Sequence, residues 1–370
     1  MAVKEAITLL ESLDDKMHWE QLKALLKRHN YKVLKGSINT LASLKDFLRK
    51  ESNAQTFIQI FREYYYEVLV GGQKTIQIYR LPSDFSQTHI FKKNTFKESS
   101  ISCKLAKEYF PYVIPNDLVK ETSEVELINI ENKGTKQFFY FSSIKSITEK
   151  KEVIPKEYED NEQTEIASFL KKYKKVTVFE ERLKQYIDVV CLDYSDNTLD
   201  IRLDSDLISG QKDLDLAFKC IKEAFIGMYQ LSTSNAFSNP FNFFPLIENL
   251  YLSEKYRVCE LTFCTDEGYV HNERNRSKQK GGDVRNGSFH IGGRDNCNDL
   301  RPYKISIRWD SELKKDDKIE NSDPTEVELS LNSALAEISK KGGGTLFSAV
   351  MTSSPLKSDQ DDFFNILKGV

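Results

Sequence analysis

Residues 185–206 read QYIDVVCLDYSDNTLDIRLDSD. Two apolar-rich runs flank Ser-Asp-Asn-Thr, the mark of a β-hairpin. In the second run Leu199, Ile201 and Leu203 alternate with Asp200, Arg202 and Asp204, so one face turns to a core and the other carries charge. Strands joined by so short a turn are antiparallel. The carboxylates Asp188, Asp193, Asp196, Asp200, Asp204 and Asp206 therefore read as a solvated face. A two-metal nuclease would need a lysine and a further acid on the neighbouring strand, and no such pattern follows.

Further hairpins and strands lie on either side. VELINIENKGTKQFFYFSSIKSI, residues 125–147, turns at Asn-Lys-Gly-Thr. YRVCELTFC, PYKISIRW and TEVELSLN are strands in the second half. Between the groups lies DLDLAFKCIKEAFIGMYQ, where Leu214, Phe218, Ile221, Phe225 and Met228 recur at helical spacing. The expected fold is α+β, a mostly antiparallel sheet with packed helices.

The N-terminal part is different. AVKEAITLLESL, HWEQLKALLKRH, NTLASLKDFLRK and NAQTFIQIFREYYYEVL each place apolar residues at i, i+3 and i+4. VGGQKTIQIYRLP, residues 70–82, then turns into a short strand. Short helices followed by a hairpin share the outline of a winged helix. The expected organisation has four parts: a helical, winged-helix-like domain at 1–81; a connector with a hairpin and a charged linker at 82–163; an α+β domain at 164–340; and a flexible acidic tail at 341–370. The tail ends in an apolar hook, DDFFNILKGV.

The chain has 370 residues, a net charge of −3 and 39% hydrophobic residues, the composition of a globular protein. Residues 1–110 hold 18 Lys/Arg against 12 Asp/Glu, whereas 310–370 hold 7 against 12. Any anion binding must therefore come from local patches. The six cysteines form no CxxC pair. The N-terminal residues lack a signal-peptide core, and no run reaches the ~18 apolar residues of a membrane span. These features predict a cytoplasmic protein without a membrane partner.

One long segment carries the functional expectation. Residues 271–296, HNERNRSKQKGGDVRNGSFHIGGRDN, fall between two strands and hold five glycines. Irregular stretches of that length inside a domain are usually functional or disordered. Arg274, Arg276, Lys278, Lys280 and Arg285 suit phosphate, because arginine forks bind it bidentately and lysines as point charges. With Lys23, Lys27 and Arg28 on the second helix they form the predicted contact to a DNA or RNA backbone. Three further readings compete. His290 with Asp283, Asp295 and Glu267 would make an acid–base set for a metal-dependent nuclease or other hydrolase. His271 and His290 with Cys259, Cys264 and Cys297 hold zinc-binding atoms at the wrong spacing for a finger or ribbon, so no metal is expected. KKGGGT at 340–345 lacks the order of a phosphate loop, and no other cofactor motif occurs. One tyrosine of EYYYEV is positioned to stack on a base, the other two to pack. The expected role is an accessory or regulatory nucleic-acid-binding subunit of a larger assembly. By association, its Lys/Asn/Phe-rich composition points to a bacterial mobile-element or phage-defence system. A scaffold subunit that assembles through protein partners alone is the remaining class.

Overall fold

The computed structural model describes residues 2–82, 101–120, 122–153, 172–173, 175, 177–204 together with 176, 210–228, 237–275, 282–297, 299–312, 326–352 and 356–369. Four helices open the chain: α1 (Ala2–Lys16), α2 (Trp19–Arg28), α3 (Ser37–Phe47) and α4 (Glu51–Gly71). They form because their apolar residues fall on one stripe each. In α4 the stripe is Ala54, Phe57, Phe61, Tyr65 and Val68, all buried against Leu9, Leu10 and Leu13 of α1 and Leu22, Leu25 and Leu26 of α2. Phe57 and Phe61, one turn apart, stack at 4.4 Å. Of the three tyrosines, Tyr65 is wholly buried, while Tyr64 and Tyr66 are half-buried.

Among the described residues a single antiparallel sheet of ten strands follows. Its strands are β1 (Lys74–Arg80), β2 (Thr122–Lys133), β3 (Lys136–Val153), β4 (Val176–Asp193), β5 (Thr198–Asp204), β6 (Arg257–Thr265), β7 (Val270–Arg274), β8 (Leu300–Asp310), β9 (Glu326–Asn332) and β10 (Ala349–Thr352). The order across the sheet is β2-β3-β4-β5-β1-β10-β9-β8-β6-β7. The other helices among the described residues are α5 (Ile101–Tyr109), α6 (Gln211–Met228), α7 (Phe244–Leu252), α8 (Ser288–Asn296), α9 (Leu335–Ile338) and α10 (Lys357–Lys368). The α+β architecture expected from the hairpin of residues 185–206 is therefore what the chain adopts.

The winged-helix outline is not. Strand β1 pairs with β5 on one side and β10 on the other, so it is an interior strand of the large sheet and not a wing. Gly72 makes the turn into it: a Cβ there would stand 2.7 Å from the Val68 carbonyl oxygen. The other proposed boundaries are crossed in the same way. Strands β2 and β3 of the expected connector join the same sheet, and β3 runs on to Val153 against β4 within the charged part of that connector. The tail is also folded. Residues 349–352 fill the gap between β1 and β9, and the hook becomes α10, whose Phe363, Ile366 and Leu367 enter the core with α7.

Both faces of β4 and β5 beside the hairpin turn are covered, which overturns the solvated-face reading for Asp188, Asp193, Asp200 and Asp204; Asp196 is exposed in the turn and Asp206 lies outside the described residues. Leu199, Ile201 and Leu203 pack against Phe218, Ile221 and Phe225 of α6, as their alternation requires. Asp200 and Asp204 on the opposite face are buried as well, as are Asp188 and Asp193. Each is answered by a partner. Lys16 at the end of α1 reaches Asp204 at 2.7 Å and the Gln185 carbonyl at 2.8 Å. Arg202 pairs with Asp200. Asp193 accepts from the Ser195 hydroxyl at 2.6 Å in the turn. Asp188 accepts from the Asp204 backbone N–H at 2.8 Å. The helical bundle docks on the sheet through this charged layer.

The hairpin turn itself depends on Asn197. It sits at φ 52°, and its side-chain amide donates to the Leu81 carbonyl at 3.1 Å. Asn tolerates this left-handed conformation better than other non-glycine residues. Asn197→Ala is expected to cost about 1–2 kcal/mol, through the lost hydrogen bond and the strain together. Asn197→Gly keeps the backbone freedom and should cost less. Chemical denaturation of both variants checks the order, and equal losses would refute the backbone contribution.

Candidate functional site at the β7 edge

The 271–296 segment is not an irregular loop. It begins as edge strand β7 on β6, makes a 3-10 turn at Val284–Asn286 and ends as α8. Its two limbs are tied where Asn275 donates to the Gly282 carbonyl at 3.1 Å and Asn275 N–H to the Cys259 carbonyl at 2.9 Å. Arg276, Lys278 and Lys280, between those limbs, lie outside the described residues.

Arg285 does a different job from the expected one. Its Nε–H donates to Asp283 at 3.0 Å; Nη1 donates to the carbonyls of Tyr251 at 2.7 Å and Ser253 at 2.6 Å; Nη2 donates to the Tyr256 carbonyl at 2.8 Å and to Asp283 at 2.6 Å. A guanidinium has five N–H donors. All five are engaged, so none remains for phosphate. The cation also sits at the C-terminal end of α7, where carbonyls and the helix dipole favour it. Asp283 extends the clamp by accepting from the Val258 N–H at 3.2 Å. Burial raises the Asp283 carboxyl, yet the bonds from Arg285 outweigh it and hold the group below its usual range.

His290 is 2% exposed and pins α8 to the edge strand. Its Nδ1 meets Glu273 Oε2 at 2.8 Å, and its Nε2 meets the Tyr251 hydroxyl at 3.1 Å. The ring stands edge-on to Phe263 at 5.7 Å. These partners come from β7 and α7, and they replace Asp283 and Asp295, the carboxylates expected beside it. Asp283 is committed to Arg285, Asp295 lies 3.9 Å from its neighbour Arg294, and Glu267 is exposed in the β6–β7 turn. With both ring nitrogens bonded inside the protein, the imidazole is built to position α8. Sequence reasoning missed Glu273 and Tyr251 because they and His290 come from three separate elements. The one available signal was the alternation His271, Glu273, which puts both on the α8 side of β7. Among the described residues no cluster of His, Cys, Asp or Glu is arranged to hold a metal ion.

What this edge presents outward is aromatic and cationic. Phe289 is 70% exposed and Tyr269 64%. The His271 ring stacks on Phe263 at 5.3 Å and lies 6.2 Å from Phe289. By strand alternation Tyr269, His271 and Glu273 share the face on which α8 sits. Arg294 of α8 lies beside them, more than half exposed and 3.9 Å from Asp295; Arg274, also more than half exposed, alternates to the opposite face of β7, where it contacts Glu260 at 3.3 Å. Across residues 257–312 there are ten Lys/Arg against nine Asp/Glu, so no strong positive field spans the region.

Lys23, Lys27 and Arg28 do not join this edge. They are half-buried on α2, and Lys23 contacts Glu20 at 3.2 Å. The bundle meets the sheet at β5, six strands from β7, or about 30 Å at ~4.8 Å per strand. The two basic groups belong to opposite halves of the sheet.

No family model and no curated protein matches the chain.

Proposed function

We propose that the protein binds single-stranded nucleic acid along the β7–α8 edge as a non-catalytic subunit. The observation that carries this reading is the exposure of Tyr269 and Phe289 beside Arg294, with Arg274 at the same strand edge on its other face. Bases stack on exposed aromatic rings while arginines track the backbone. The near balance of charge argues against a duplex binder, which relies chiefly on a positive field. The engagement of both His290 nitrogens supports binding over hydrolysis. Absence of any disulfide among the six cysteines suits a reducing, cytoplasmic compartment. No helix among the described residues is long and apolar enough to cross a membrane. An accessory role in a bacterial mobile-element or phage-defence assembly remains the setting we infer.

Fluorescence anisotropy with labelled oligo-dT and oligo-U tests the reading. Binding is expected at about 50 mM salt and should weaken as salt rises. Phe289→Ala should weaken it by roughly 1–3 kcal/mol, independently of sequence. Arg294→Ala should weaken it and flatten the salt dependence. No binding at low salt, or full binding by the Phe289 variant, would sink the proposal. Metal-dependent cleavage lost in His290→Ala would replace it with the hydrolase reading.

A further inference from the structure

A second site lies on the other half of the molecule, where the β2–β3 turn, α4 and α10 meet. They line an open cavity of about 610 Å3. Pockets of this size accommodate a small-molecule ligand. Lys133, Gly134, Thr135 and Lys136 form one side of its mouth. Gly134 adopts φ 62°, the left-handed conformation of a tight turn, and so carries a lysine on either side of the same opening.

The inner wall holds Arg202, 4% exposed. Asp200 takes two of its donors, and the Val70 carbonyl takes one at 3.2 Å. Two of its five N–H groups have no hydrogen-bond partner among the described residues. The guanidinium faces the rings of Phe364 at 4.4 Å and Phe138 at 5.7 Å, and both rings line the cavity. A buried guanidinium with spare donors, wedged between aromatic rings, is arranged to meet an anion that enters from the open side.

The mouth adds two adaptable cations. Lys133 lies 3.3 Å from Glu131 and 5.1 Å above the Tyr66 ring. Lys136 lies 3.4 Å from Asp193. In each pair the lysine is the exposed partner and the carboxylate the more buried one, so the ammonium groups are the ends within reach of an entering anion. A ligand phosphoryl group that draws Lys133 inward would uncover the face of Tyr66. Glu63 and Glu67 line the same cavity. They supply acceptors for hydroxyl and amino hydrogens, which a nucleotide carries and inorganic phosphate lacks.

We propose that this cavity binds a mononucleotide, with its phosphoryl group on Arg202, Lys133 and Lys136 and its base against Tyr66. Isothermal titration calorimetry of the full chain with AMP, ATP, adenosine and inorganic phosphate tests it. AMP or ATP should bind with a Kd of roughly 1 mM or tighter. Lys133→Ala with Lys136→Ala, both at the exposed mouth, should weaken binding about tenfold or more. Arg202→Lys should abolish it, with circular dichroism checking the fold; the mouth variant carries the test if Arg202→Lys does not fold. Phe289→Ala should leave AMP binding unchanged, which separates this site from the β7 edge. Three results would overturn the proposal: no binding of AMP or ATP, inorganic phosphate binding as tightly as AMP, or full affinity in the mouth variant.

Discussion

Lys16→Met is expected to destabilise the protein by roughly 3–5 kcal/mol, the cost of stranding one member of a buried ion pair. The pair joins the end of α1 to β5 and both side chains are almost fully buried. Burial alone would raise the Asp204 carboxyl, but the Lys16 and Lys74 ammonium groups outweigh it and hold it far below the usual carboxylate range. Burial likewise lowers Lys16, and Asp204 and Asp15 more than reverse that. Removing the lysine leaves Asp204 charged without its nearest partner. Lys16→Met combined with Asp204→Leu should recover much of the loss, since an apolar pair replaces both charges. Urea denaturation measures the difference, with an unchanged slope confirming a stability effect. A double variant no better than Lys16→Met would show that packing, not charge, is at stake.

The same layer gives a pH signature with two opposite signs. The depressed Asp204 contributes stability that is present above its unfolded pKa, near 4, and lost as pH falls below that. Asp188 behaves in reverse. Burial pushes its carboxyl up to about 6, more than its backbone bond and Lys74 lower it. Its contribution is full below about pH 4 and lost as pH rises through about 6. In Asp188→Asn the decline between those values should vanish. Denaturation curves at pH 4, 5, 6 and 8 read this directly, and parallel profiles for the two proteins would contradict it.

Arg285→Ala is the second large effect. It unmakes five hydrogen bonds and leaves Asp283 and three carbonyls without their donor. A loss of roughly 2–4 kcal/mol is expected, concentrated in residues 282–297. Hydrogen exchange should show protection falling in α8 and along β6 while the α1–α4 bundle is unchanged. If Arg285 instead served phosphate, its alanine variant would weaken oligonucleotide binding with exchange intact.

The readable parts of this fold were those with a long period. The hairpin of residues 185–206 and helix α6 carry clean alternation or helical spacing, and both formed as read. Strand β10 was hidden because Ala-Val-Met-Thr is too short to show a period and follows a glycine-rich run that reads as a tail. The aspartates misled because alternation tells which face a residue takes, not what covers that face. Their cover, α1 and α4, lies more than a hundred residues upstream. At the β7 edge the basic residues were visible as a group, but the fate of each was not. Arg285 differs from Arg274 only in having three carbonyls of α7 and its C-terminal turn within reach.

Strand β10 also governs the order of assembly. It sits between β1 and β9, so the middle of the sheet is closed by residues 349–352 against residues 74–76. Contacts so distant in sequence are slow to form. During synthesis β1 and β9 must wait with unpaired backbone edges, open to mispairing with another chain. Completion of the sheet thus waits for residues 349–352, and a chain cut before residue 349 would be left as two unjoined half-sheets prone to aggregate.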